Sequence, residues 1–112
     1  MPRDYKLYLE DIIHSIEKIN SYTKGIHFNE LNESGLILDA ILYNLQIIGE
    51  AAKHIPDDFR NQHPGVEWRK ISGLRDIVAH EYFGISLEIV WDIIENKLPQ
   101  LHTAIKKILD ER

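Results

Sequence analysis

Between Leu36 and His54 the chain is apolar around most of a helical circumference, and a segment of that kind must be enclosed on most sides. Leu36, Ile37, Leu38, Ala40, Ile41, Leu42, Leu45, Ile47, Ile48, Ala51 and Ala52 nearly surround the axis. The natural home for such a helix is the centre of a helical bundle. The exceptions are Asp39, Tyr43, Gln46, Glu50 and Lys53, spaced four, three, four and three residues apart. That spacing puts them on one narrow line along the helix. The line reads either as the solvated edge of a central helix or as a wall facing a second subunit or a bound phosphate. Glu50, directly after Gly49, is the residue on it expected to support a functional site.

The remaining chain supplies helices to enclose the central one. From about Asp4 to Tyr22, Tyr5, Tyr8, Leu9, Ile12, Ile13, Ile16 and Ile19 repeat with a helical period, and Gly25 ends the run. A loop is expected up to about Glu33, with Asn32 or Ser34 capping the central helix. Asp57, Asp58 and Phe59 predict a single turn before His63–Pro64–Gly65 breaks it. A helix follows from about Glu67 to Tyr82, with Gly84 beyond its end; Gly73 inside it costs about 1 kcal/mol relative to alanine, which a close packing contact at that point would explain. Ser86 should cap the last helix, in which Leu87, Trp91, Ile94, Leu98, Leu101, Ile105 and Ile108 recur at helical spacing. Pro99 removes a backbone donor inside that helix, so a kink or restart is expected near Asn96–Leu98. No alternating run is long enough for a strand. The expected fold is an all-α, antiparallel four- to five-helix bundle forming one domain over residues 1–112.

Charge narrows the functional classes. The net charge is −5, whereas phosphate neutralisation by basic surfaces usually dominates nucleic-acid affinity. A general RNA-binding module is therefore disfavoured. Any contact with RNA must be local, through a patch such as Arg69, Lys70 and Arg75, with Lys53 and Arg60 as further candidates. There is no cysteine, which excludes disulfides and thiolate chemistry. His14, His27, His54, His63 and His102 show no i, i+4 pairing with each other and have no cysteine partners, so neither a metal nor another cofactor is expected. No apolar run approaches the ~20 residues of a membrane span and no signal peptide opens the chain. The expectation is a cytoplasmic protein with no membrane contact.

Chemistry concentrates between Gly73 and Gly84. On a helical wheel Ile71, Leu74, Ile77, Val78 and Tyr82 share one arc, and Arg75, Asp76 and His80 share the other with the small residues Ser72, Gly73 and Ala79. Small residues around a few charged groups suit a surface that something approaches closely. Asp76 and His80 are four residues apart, where a carboxylate can hold an imidazole. The same spacing also fits an Arg–Asp surface pair, a histidine near a helix C-terminus and a core tyrosine.

Arg75, four residues, His80, one residue, Tyr82 spells R-x4-H-x-Y. The flanking words are NLQIIGEAAKHIP (Asn44–Pro56), WRKISGLRDIVAHEYFGI (Trp68–Ile85) and VWDIIENKLPQL (Val90–Leu101). With them the chain resembles the HepT toxin branch of the HEPN ribonucleases along almost its whole length. The resemblance implies a HEPN-like two-fold homodimer with its active site at the subunit interface, Arg75, His80 and Tyr82 as catalytic residues, and Asp76 and Glu50 in support. It implies a metal-independent endoribonuclease toxin whose RNA substrate could be tRNA or mRNA, leaving 2′,3′-cyclic phosphate ends. It also implies an MntA-type nucleotidyltransferase antitoxin that silences the toxin by AMPylating Tyr82. Asp76 departs from the asparagine often found at that position, which bears on the orientation of His80. HEPN domains include non-catalytic members, so the alternative is a dimeric module that binds the nucleotidyltransferase or a nucleotide without cutting RNA.

Overall fold

The computed structural model describes residues 4–31, 33–81 and 86–111, with the side chains of His80 and Glu81 outside that description. Among the described residues there is no strand. The helices are α1 (Tyr5–Thr23), α2 (Phe28–Leu31), α3 (Gly35–Lys53), α4 (Asp57–Gln62), α5 (Trp68–Ser72), α6 (Leu74–Glu81), α7 (Leu87–Asp92) and α8 (Leu98–Asp110). A π-helical segment, Ile93–Lys97, joins α7 to α8. The chain is an all-α bundle.

Local chemistry sets most of these boundaries. The Asp4 carboxylate accepts from the backbone N–H of Lys6 at 2.9 Å and starts α1. Gly25, at φ 78°, takes the left-handed conformation that turns the chain after it. The Ser34 hydroxyl accepts from the N–H of Ile37 and starts α3. The stretch before it is not only loop, because Leu31 is fully buried and carries the helical turn α2 down onto the core. Ser86 precedes α7 as expected, yet its side chain makes no capping hydrogen bond.

α3 lies at the centre, packed against α1, α5 and α6, while α8 closes over α1. Leu9, Ile12, Ile16 and Ile19 of α1 meet Ile41, Leu45 and Ile48 of α3 in one core that also takes Leu98 and Ile105 of α8. Each such side chain contributes about 1.5–3 kcal/mol by leaving water. In length and hydropathy α3 does reach the range of a membrane-crossing helix, closer to a span than the sequence suggested. Its neighbours enclose it from Ile41 onward, where Ile41, Leu42, Leu45, Ile48, Ala51 and Ala52 are buried, whereas Leu36 in the first turn is exposed, so the enclosure expected on most sides covers only part of the helix.

Two breaks in the helices have identifiable causes. Near Pro99 the ladder shifts register: the N–H of Leu98 donates to the carbonyl of Ile93, five residues back, and α8 restarts with proline in its first turn. That is the predicted restart, achieved by a π-helical segment. The predicted continuous helix from Glu67 to Tyr82 is instead divided at Gly73 into α5 and α6. Gly73 keeps right-handed helical angles and its N–H donates to the carbonyl of Arg69, so the division is a local turn.

Candidate functional site

α6 presents the arginine of the motif. Leu74 and Val78 are buried and seat the helix against α3, so the opposite arc, with Arg75, Asp76 and Ala79, faces outward. The apolar arc read from the sequence is the one that packs.

Where α3 passes this helix the two backbones nearly touch. A β-carbon on Gly49 would fall 2.7 Å from the backbone nitrogen of Arg75 and 3.3 Å from the carbonyl oxygen of Ile71. Only glycine permits that approach. The sequence had assigned a close contact to Gly73; it occurs at Gly49.

The approach brings the residue after Gly49 to the motif helix. Glu50 Oε2 lies 3.1 Å from Nη1 of Arg75, and both side chains remain about 45% exposed. The other carboxylate oxygen, Oε1, lies 3.6 Å from Nε2 of His54, an ion pair when that imidazole is protonated. His54 in turn stacks on Tyr8 of α1, with ring centroids 4.8 Å apart and planes 11° from parallel. Tyr8, His54, Glu50 and Arg75 thus form a chain of contacts from α1 across α3 to α6. His54 reads as an ordinary surface histidine in the sequence; its spacing of four from Glu50 was the available signal.

The expected cationic patch is assembled only in part: Arg60, Arg69 and Lys70 line one open groove, whose lining includes neither Arg75 nor Lys53. Arg60 turns inward: its Nε donates to the carbonyl of Ile55 at 3.1 Å and its Nη2 to that of Ala52, which satisfies the C-terminal end of α3. Lys70 pairs with Glu67 at 2.7 Å on the exposed face of α5. That pairing holds the Glu67 carboxyl below the usual carboxylate range and raises the Lys70 ammonium above its ordinary value.

The backbone of His80 lies in the last turn of α6; its side chain and all of Tyr82 fall outside the described residues. The structure therefore places Arg75, Asp76 and Glu50, and brings Arg75 and Glu50 together. Among the described residues no group of three or more histidines, cysteines, aspartates or glutamates could hold a metal ion.

A helical bundle that carries Arg75, the first residue of the R-x4-H-x-Y motif, on the outward face of α6 fits the ribonuclease family that the sequence resembles. Residues 12–108 match the family described as "Ribonuclease HepT-like", and the chain belongs to that family. It is 37% identical over 108 residues to a protein named probable ribonuclease HepT in Thermococcus cleftensis, covering 96% of this chain and 98% of that one. A candidate RNase of Caldanaerobacter subterraneus is 38% identical over 104 residues, with 93% of each chain covered. A Methanocaldococcus jannaschii protein, named as a gamma-glutamylcyclotransferase and candidate RNase, is 36% identical over 111 residues. This chain spans half the length of that relative. No solved structure matches the chain.

Proposed function

We propose that this chain is a metal-independent endoribonuclease toxin of a toxin–antitoxin pair, acting in the cytoplasm on RNA. The observation that carries this reading is the half-exposed Arg75 guanidinium, held by Glu50 on the outward face of a helix in a HepT-like ribonuclease.

RNA brings its own nucleophile, the 2′-hydroxyl. Its oxygen attacks the adjacent phosphorus, the 5′-oxygen bond breaks, and a 2′,3′-cyclic phosphate remains. The 2′-hydroxyl proton must go to a base, and the departing 5′-oxygen must receive one from an acid. His80 suits either role, since imidazole titrates near neutrality. One motif histidine per chain cannot be base and acid in the same event, whereas a two-fold dimer pairing the two motif faces would supply both. Arg75 remains charged and its planar fork can bind two phosphate oxygens as negative charge develops. Tyr82 can donate to the phosphate or stack on a base, and Asp76, four residues before His80, can orient the imidazole.

Silencing would come from an MntA-type nucleotidyltransferase. It transfers AMP from ATP to the Tyr82 phenol and releases pyrophosphate, which adds a phosphate and a base to the last residue of the motif.

Purified protein and its His80→Ala variant, incubated with tRNA and mixed RNA in EDTA, test the reading. Cleavage by the wild type alone, with cyclic phosphate ends, is expected. No cleavage by protein confirmed by mass to be unmodified at Tyr82 would favour a non-catalytic dimeric module. The net charge of −5, with Arg60 turned inward and Lys70 paired, favours that second reading.

A further inference from the structure

The line of polar residues along α3 does not end at Glu50. Two turns earlier Tyr43 stands 63% exposed, an unusual setting for a large aromatic on the central helix of a bundle. Tyr43, Asp39 and Gln46 form one wall of an open groove of about 380 Å³, whose other wall is Val78 and Ala79 of α6. Ala79 adjoins His80 in sequence and lies four residues beyond Arg75. Gly49 meets Arg75 at one end of this helix pair, and Tyr43 and Gln46 meet Ala79 further along, so α3 and α6 run antiparallel. The groove therefore lies further along the same helix pair than the Glu50–Arg75 contact, which is not part of its lining. Tyr43 and Glu50 are seven residues apart, about 10 Å along the α3 axis.

We infer that this groove is a nucleobase subsite, in which a base of the bound RNA stacks on Tyr43 and presents its edge to Asp39 and Gln46. This rests on the ribonuclease reading and adds a preference to it. The groove is flanked by an exposed ring, a carboxylate and an amide beside the apolar Leu42, Val78 and Ala79, a composition that suits the apolar faces and polar edge of a flat heterocycle. Unstacked bases of single-stranded RNA are held by aromatic platforms and hydrogen bonds to their edges. The Asp39 carboxylate repels phosphate, so the RNA backbone lies on the Arg75 side and the base on the Tyr43 side. A carboxylate accepts from exocyclic amino groups, as in carboxylate contacts to cytosine N4. Cytosine, guanine and adenine carry such a group; uracil does not. The subsite thus favours amino-bearing bases over uracil.

The test titrates the four nucleoside 3′-monophosphates into the wild-type protein, Tyr43→Ala, Tyr43→Phe and Asp39→Asn by NMR, and measures cleavage of poly(C) and poly(U) in parallel. Loss of base stacking predicts a five- to hundredfold weaker Kd and higher KM in Tyr43→Ala, with kcat retained and Tyr43→Phe restoring binding. Asp39→Asn is expected to narrow the preference against uridine. Kd and KM within twofold of wild type in Tyr43→Ala, while the wild type cuts RNA, overturn the subsite alone. Tyr43-dependent nucleotide binding without any cleavage keeps the subsite and sinks the nuclease. A shift of Tyr43→Ala to a smaller species in sedimentation, with Kd for the monophosphates unchanged, would make the groove a protein interface and overturn the inference.

Discussion

Gly49 and Arg75 stand so close that a β-carbon on the first would lie 2.7 Å from the backbone nitrogen of the second. The atom in the way is backbone at the head of α6, which cannot swing aside like a side chain. Gly49→Ala must therefore push α6 off α3. Overpacking of this kind costs about 1–3 kcal/mol. A lower Tm is expected, together with a loss of RNA cleavage larger than the stability loss explains, because the displaced helix carries Arg75 and His80. Cleavage measured well below Tm separates the two effects.

Glu50→Ala should behave in the opposite way. The Glu50–Arg75 pair is about half exposed, so its contribution to stability is expected to be under about 1 kcal/mol. Without the carboxylate the arginine loses its fixed position, and kcat/KM should fall by roughly tenfold or more as that orientation is lost. Denaturant unfolding and cleavage assays on one preparation check this. An unchanged rate would show that Glu50 does not position Arg75.

Replacing His80 removes the proton-transfer group. General acid–base catalysis contributes about 10²–10⁴-fold, and His80→Ala should lose a factor in that range. RNA binding should be nearly unchanged, since Arg75 is intact. Filter binding beside the cleavage assay distinguishes lost chemistry from lost affinity.

Arg60→Ala is predicted to be a stability variant only. Its guanidinium serves the carbonyls of Ile55 and Ala52, and leaving such groups unsatisfied costs about 1–3 kcal/mol. Thermal unfolding should register the loss, while the dependence of RNA affinity on salt should match the wild type.

The Glu67–Lys70 pair has a signature in pH. The folded-state pKa of Glu67 is lowered, so its contribution is present at neutral pH and is lost as pH falls through that lowered value. For Lys70 the folded-state pKa is raised, so its part is lost only as pH rises through that raised value. The Tm difference between wild type and Glu67→Gln should be small at pH 7 and disappear in acid. Added salt should shrink it as well, because the pair is exposed to solvent.

Sequence by itself determined the long helices and the faces that α1 and α6 bury, whereas the turn α2 and the division at Gly73 were not legible in it. Periodicity identified α1, α3 and the final helix, Ser34 was one of two candidate caps for α3, and Pro99 marked the restart after Ile93–Lys97. These signals are local, carried by residues within a turn or two of each other. The motif arc was legible for the same reason, with Leu74 and Val78 inward and Arg75 outward. The line through Asp39, Tyr43, Gln46 and Glu50 could be drawn, but not what it faces. Only tertiary structure joined Glu50 to Arg75, 25 residues away, because that contact depends on how closely two helices cross. It also moved the close approach from Gly73 to Gly49 and folded Arg60 back onto the end of α3. A long charged side chain has many reachable partners, and its choice follows from which carbonyls the packed helices leave unsatisfied.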